Sequence, residues 1–248
     1  MTDNQQPRLE EQVISTAVEM GLSSQLDKVE DIHVDVHTNL IDVVQGHANS
    51  VSITAQGMVV KKDIRIKEME MLTNSIDINP LSAIFGELKL EQPTDALVRV
   101  VLTEKDINLA LNSNYVRSQI KPFELNVNER TVTFKLREME VRIADNDRIE
   151  ISGNTKLEDR NESNLLGFRA SIYPAGVSHP ILLESFQCAP GQTIPLDITC
   201  ALINKFQELV SSPYLEFDGT AFKINQLEVK DGELCVYLQL YVKNIPSL

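Results

Sequence analysis

The sequence predicts an α+β protein in which a long, strongly curved antiparallel sheet wraps around amphipathic helices. Apolar and polar residues alternate over many short segments, which is typical of strands with one buried face. Two other segments show helical spacing, and several strands contain apolar steps of three where two is expected, which indicates β-bulges that bend a sheet. With 248 residues, 42% of them hydrophobic, the chain can bury a large core.

The first predicted element is an amphipathic helix over residues 7–20, with Gly21 as its stop. A strand follows, in which Ile32, Val34 and Val36 alternate with polar residues. Later alternation predicts five more strands, at Val51–Val60, Ile64–Met71, Val132–Ile143, Arg148–Leu157 and Phe168–Tyr173.

The end of the chain is predicted to form a helix over Leu196–Val210 and then a hairpin. Asp231-Gly232 is the hairpin turn between strands at 222–229 and 234–242. The polar stretch 158–164 is a predicted hairpin tip or loop and 174–180 is a second predicted loop, and both are too short to separate independent domains. We therefore expect a polar tail over residues 1–8 and a single domain over residues 9–245.

The apolar steps of three predict bulges at several points in the sheet. They run from Ile66 to Met69, Leu136 to Met139 and Ile224 to Leu227, with a similar change near Gly57, where Ala55 gives way to Met58. A sheet bent in this way has a concave face that either fills with side chains or leaves a groove for an apolar ligand. The alternation alone does not choose between these outcomes.

The segment from Asn79 to Ser113 combines helix stops, strand alternation and capping signals in an unusual order. Asn79-Pro80 and Gly86 enclose a predicted short helix, and a strand is predicted over residues 96–102. Thr103, followed by Asp106 three residues later, predicts a capped helix start.

These residues carry the resemblance to a known family. The pattern L-x-x-I-F-G-x-L-x-L-x-x-P-T begins at Leu81, and L-T-E-x-D-I-N-x-A-L-N-S begins at Leu102. Together with Gly46 and the strands before it, residues 40–113 resemble the LmeA-like phospholipid-binding domain family of bacteria. The resemblance implies a tubular lipid-binding-like fold and non-catalytic binding of a phospholipid or similar amphiphile, and it does not identify the residues that touch lipid.

A lipid groove would have no sharp polar motif. Burying about 15 methylenes at ~0.8 kcal/mol each is worth roughly 12 kcal/mol before ordering costs, so an apolar lining can supply the affinity. The residues predicted to line the groove are Val51, Ile53, Met58, Val60, Ile64, Ile66, Met69 and Met71. The alternative at each position is ordinary core packing.

Net charge limits the partners of the protein. A formal charge of −13 argues against a general nucleic-acid binder, which depends on cations to contact phosphates. A local basic patch, formed by Lys61, Lys62, Arg65 and Lys67, is the predicted point of transient membrane contact. Its alternative is the solvated edge of a strand.

The polar segment over residues 1–12 lacks the features of a secretory signal, and no stretch reaches the ~18 apolar residues of a spanning helix. We expect a cytoplasmic protein with at most peripheral membrane contact. The three cysteines have no metal-binding or CxxC spacing, so we expect free thiols rather than a disulfide.

Enzyme signals are weak: the sequence has no G-x-S-x-G, no Walker loop, no G-x-G-x-x-G and no H-E-x-x-H, and no cofactor is expected. The one constellation to weigh is His33, Asp35 and His37, which share a strand face and could ligate a metal in a hydrolase. A solvent-exposed strand face is the simpler interpretation. A second alternative to lipid binding is a scaffold or interaction protein with a filled core and no ligand.

Overall fold

A computed structural model describes most of the chain. The described residues are 9–39, 41–42, 45–61, 63–77, 90–144, 147–159, 162–176, 181–212, 214–217 and 220–242. The predicted tail over residues 1–8 and the predicted helix after Asn79-Pro80 lie outside these ranges. The chain forms two compact units, the first with residues 1–101, 219–222 and 237–248, the second with residues 102–218 and 223–236. The single domain over residues 9–245 stays a prediction.

The predicted α+β class with a curved, mostly antiparallel sheet is confirmed. The helices are α1 (Leu9–Gln25), α2 (Glu104–Asn112), α3 (Asn114–Gln119) and α4 (Leu196–Val210). The strands are β1 (Asp31–His37), β2 (His47–Ala48), β3 (Ser50–Lys61), β4 (Ile64–Thr73), β5 (Ile76–Asp77), β6 (Thr94–Thr103), β7 (Phe123–Val127), β8 (Arg130–Ile143), β9 (Ile149–Asp159), β10 (Glu162–Pro174), β11 (Ile181–Cys188), β12 (Leu215–Phe217), β13 (Thr220–Lys230) and β14 (Glu233–Val242).

In the first unit, β1, β3, β4 and β6 are neighbours in that order. Alternate residues of β1 and β3 form a buried cluster, and α1 packs three apolar side chains, Ile14, Val18 and Leu22, against it. The prediction that Gly21 ends α1 is wrong, because the helix continues to Gln25. A helical glycine costs about 1 kcal/mol relative to alanine, and the contact that Leu22 makes with the core offsets this cost.

In the second unit, β7 to β11 form an antiparallel sheet in chain order. One end of its buried face packs around Phe134 and receives Ile198 of α4. The other end packs around Val141 and receives Ile107 and Leu111 of α2. Both helices that the sequence predicts thus contribute apolar side chains to the core of this sheet.

The bulges are partly where the sequence predicts them. The register between β8 and β9 shifts between Leu136 and Glu138, which confirms the predicted bulge there. Between β3 and β4 the strand register stays constant on both sides of Gly57 and between Met69 and Ile66. The register shifts only further along β3, between Val59 and Lys61. The predictions of inserted residues at Gly57 and at Ile66 to Met69 are therefore wrong: without an insertion, a step of three moves the apolar residue to the other face of the strand.

Candidate functional site

The residues predicted to line a groove lie in the first unit. Val51 and Ile53 belong to its buried cluster, and Met69 and Met71 pack against that cluster. Met58 is buried, whereas the other three predicted residues, Val60, Ile64 and Ile66, are half-buried. The structure thus brings four of the eight together in a core to which α1 also contributes, and their contact with lipid stays a prediction.

The predicted basic patch is described only in part. The side chain of Lys61 and the whole of Lys62 lie outside the described part of the chain. The guanidinium Nη2 of Arg65 lies 3.0 Å from Oε1 of Glu30. Nζ of Lys67 lies 4.0 Å from Oε1 of Glu68. Nearby carboxylates thus balance both cations, and membrane contact at this patch stays a prediction.

The two histidines of the proposed metal site face carboxylates of their own strand and of α1. Nε2 of His33 lies 3.4 Å from Oδ2 of Asp35, and Nδ1 of His37 lies 3.9 Å from Oε1 of Glu11. Within the described ranges, no three His, Cys, Asp or Glu side chains are grouped closely enough to hold a metal ion. The arrangement therefore gives the metal-dependent hydrolase no support.

No helix in the described ranges combines the length and the apolar character needed to cross a membrane. The three cysteines are free thiols, with Cys235 buried, Cys188 half-buried and Cys200 exposed.

The second unit contains a cavity of about 830 Å³ that the sequence does not predict. Its walls come from α2, α3, the middle of β8 to β10, and the end of β11 with the two residues that follow it. The lining residues are Asn108, Asn112, Arg117, Glu138, Met139, Glu140, Ser152, Gly153, Asn154, Gly167, Phe168, Arg169, Gln187, Cys188, Ala189 and Pro190.

Strand register places the polar lining residues on one face of the sheet. Glu140 pairs with Ser152, Ser152 with Arg169, and Arg169 with Gln187. Directly paired residues project to the same face, so these four form a polar row across β8 to β11. A second row on this face runs through Glu138, Asn154 and Gly167, because residues two apart in a strand share a face.

Side chains of α2 hold the wall of the cavity by bonding the backbone of β8. The Asn108 amide donates to the Val141 carbonyl at 2.7 Å and accepts from the Val141 amide at 2.8 Å. Glu104 accepts from the Ile143 amide at 2.8 Å, and Asn112 donates to the Met139 carbonyl at 3.1 Å. The three helical residues are four apart and span about 6.0 Å per step, and their partners on β8 are two apart and span about 6.6 Å per step. Because these distances nearly match, each side chain reaches its own partner on the strand.

The start of α2 is fixed by the predicted cap. Oγ1 of Thr103 accepts from the Asp106 amide at 3.1 Å and donates to Oδ2 of Asp106 at 2.7 Å. The acid thus bonds the capping hydroxyl, whereas the acid of a full capping box bonds the capping residue's amide. Residues of the family pattern at Thr103, Glu104, Asn108 and Asn112 therefore anchor α2 against the sheet.

Two glycines set the shape of the sheet at the cavity. A Cβ at Gly153 would lie 2.3 Å from the carbonyl oxygen of Glu138, and one at Gly167 would lie 2.8 Å from Cβ of Ala189. A larger residue at either place would displace its neighbours. Glycine inside a strand pattern often marks such close approach, and this was the one sequence signal that could have pointed to the site.

Four charged side chains line the cavity without balancing one another. Among the described residues, no hydrogen-bond or ion-pair partner lies within reach of the side chains of Arg117, Arg169, Glu138 or Glu140. All four are exposed to solvent. The cavity thus offers two free guanidinium groups and two free carboxylates to a ligand.

The sequence comparison assigns the chain to a family. The model of the LmeA-like phospholipid-binding family matches residues 6–239, and the chain belongs to that family. The resemblance seen over residues 40–113 therefore extends along nearly the whole chain, and membership supports lipid binding in general. No curated protein and no solved structure matches the chain.

Proposed function

We propose that this member of the LmeA-like phospholipid-binding family binds and carries a phospholipid without chemical change, and that the cavity of the second unit holds the phosphate group. The observation that carries the proposal is the pair of unpartnered arginines, Arg117 and Arg169, in one cavity. Guanidinium groups bind phosphate oxygens through two parallel hydrogen bonds, and such charge-assisted bonds are about twice as strong as neutral ones.

The rest of the lining suits a bound amphiphile. The volume of about 830 Å³ lies within the range of ~300–1,000 Å³ typical of small-molecule sites. The amide of Asn154 can donate to phosphate or ester oxygens, and Met139 and Phe168 add half-buried apolar surface from the other face of the sheet.

Net charge makes the two arginines necessary under this proposal. A chain of net charge −13 repels an anionic phosphate on average, so binding requires a local cationic group. Each arginine lost should therefore weaken binding clearly.

The test is binding of a fluorescent, short-chain phosphatidylglycerol to purified protein, measured by fluorescence titration. Arg169→Gln and Arg117→Gln should each raise the dissociation constant about tenfold, because a hydrogen bond to a charged group is worth roughly 1.5–3 kcal/mol. Arg142→Gln is the matched control, since Arg142 is exposed on β8 and does not line the cavity. Unchanged binding in folded Arg169→Gln and Arg117→Gln proteins would remove the cavity as the phosphate site. Absence of any lipid binding would favour the scaffold alternative.

A further inference from the structure

We propose that the cavity selects a zwitterionic headgroup, with the phosphate on Arg169 and the ammonium on the carboxylates of Glu140 and Glu138. This inference rests on the proposed function and adds the headgroup class to it. The observation behind it is that Arg169 and Glu140 lie apart on one polar face of the sheet, on either side of Ser152.

The polar row keeps its cation and its anion apart. Glu140 lies on β8 and Arg169 on β10, and both pair with Ser152 on β9 between them. Two strand spacings place their Cα atoms about 10 Å apart on the same face. Ser152 is short, so the space above it stays open between the guanidinium and the carboxylate. A phosphate and an ammonium joined by an ethylene linker can bridge this space.

The charges of the lining balance. The cavity has two arginines and two glutamates, and none of the four is neutralised by another described residue. A zwitterionic headgroup is also neutral and contacts both signs. An anionic headgroup satisfies the arginines but leaves the two carboxylates facing additional negative charge, which is unfavourable. Glu138, two residues from Glu140 and on the same face, gives the ammonium a second partner.

Two short-chain lipids and one inorganic ion test this inference. Dihexanoyl phosphatidylethanolamine, dihexanoyl phosphatidylglycerol and inorganic phosphate are titrated into the full chain below micelle-forming concentrations, with heat as the readout. The wild-type protein should bind the phosphatidylethanolamine more tightly than the phosphatidylglycerol. Binding of inorganic phosphate as tight as either lipid would reassign the site to free phosphate and overturn the inference.

The variant E138Q/E140Q separates the headgroup from the phosphate. It should weaken phosphatidylethanolamine binding about fivefold, the loss expected for exposed ion pairs, and leave phosphatidylglycerol binding equal or tighter. Arg169→Gln should weaken both lipids. Glu124→Gln is the control, because Glu124 is exposed on β7 and does not line the cavity.

The outcomes distinguish the two proposals. If both lipids bind through Arg169 and E138Q/E140Q leaves the ratio of their affinities unchanged, the headgroup inference fails and the proposed function stands. If neither lipid binds to folded protein, both fail. Circular dichroism of each variant checks folding, and the exposure of both glutamates favours native-like variants.

Discussion

The face formed by β3 and β4 in the first unit and the polar face of β8 to β11 in the second differ in what lies against them. On the first, Ile53 belongs to a buried cluster against which Met71 and apolar side chains of α1 pack. On the second, Ser152 and Gly167 leave a cavity rimmed by unpaired charges. The comparison teaches that open space occurs here where side chains are short and charges lack partners, and not where apolar residues are densest.

The largest expected effect tests whether the first face is packed. Met69→Asp places a charge against the buried cluster around Val51 and Ile53, and we expect the free energy of unfolding to fall by about 3 kcal/mol or more. Met71→Asp should behave alike. Urea denaturation gives the measurement.

Glu70→Ala is the control on the opposite face of β4, where Glu70 is exposed and pairs with Arg99 at 3.1 Å. Its effect should stay below about 1 kcal/mol. A different result for Met69→Asp, with stability retained and lipid binding lost, would turn the first face into the ligand site and reverse the comparison.

A smaller effect is expected where polar bonds replace apolar packing. Asn108→Ala removes both side-chain bonds to the backbone of Val141 and should lower the free energy of unfolding by about 2 kcal/mol. Asn112→Ala removes one exposed bond to β8 and one to the Asn108 carbonyl of its own helix, and it should cost about half as much because water can replace bonds at an exposed side chain. Both are measured by urea denaturation, and equal effects would show that α2 is held by its apolar face instead.

The smallest effect concerns acid stability of the second unit. Nζ of Lys135 and Nζ of Lys156 each lie 2.7 Å from a carboxylate oxygen of Glu158, and these bonds lower the pKa of Glu158 from 4.5 to about 2. A lowered folded-state pKa gives stability that is complete above the unfolded value and is lost as the pH falls from 4.5 towards 2.

Glu158→Gln should therefore flatten the fall in melting temperature between pH 5 and pH 2, as followed by circular dichroism, and Glu124→Gln should not. A parallel curve for Glu158→Gln and wild type would mean that the two lysine contacts do not form in solution.

Local signals in the sequence predicted much of the fold. The bounds of α4 at Leu196 and Val210 are confirmed, because its apolar spacing is regular over the whole helix. The turn at Asp231-Gly232 is also confirmed, with positive φ at both residues. The strand β7 was not predicted, because its turn to β8 uses Asn128 and Glu129 with positive φ and contains no glycine.

The cavity could not be predicted in the same way. Its lining comes from residues as far apart as Asn108 and Pro190, and strand register brings them together. Register depends on pairing between distant segments, including the bulge near Arg137, which shifts every later partner of β8 by one residue. Likewise, the sequence alone does not show that Arg169 lacks an ion-pair partner, because strand register decides which residues lie next to it in space.

The contact between α2 and β8 also affects how the protein behaves beside other chains. Past Phe134, β7 no longer pairs with β8, and a bare strand edge of this kind is a template on which foreign strands can add and start aggregation. Glu104, Asn108 and Asn112 occupy the amides and carbonyls of alternate residues there. Three side chains of one helix thus make the hydrogen bonds that a neighbouring strand would make, and they leave fewer backbone groups of β8 open to a strand of another chain.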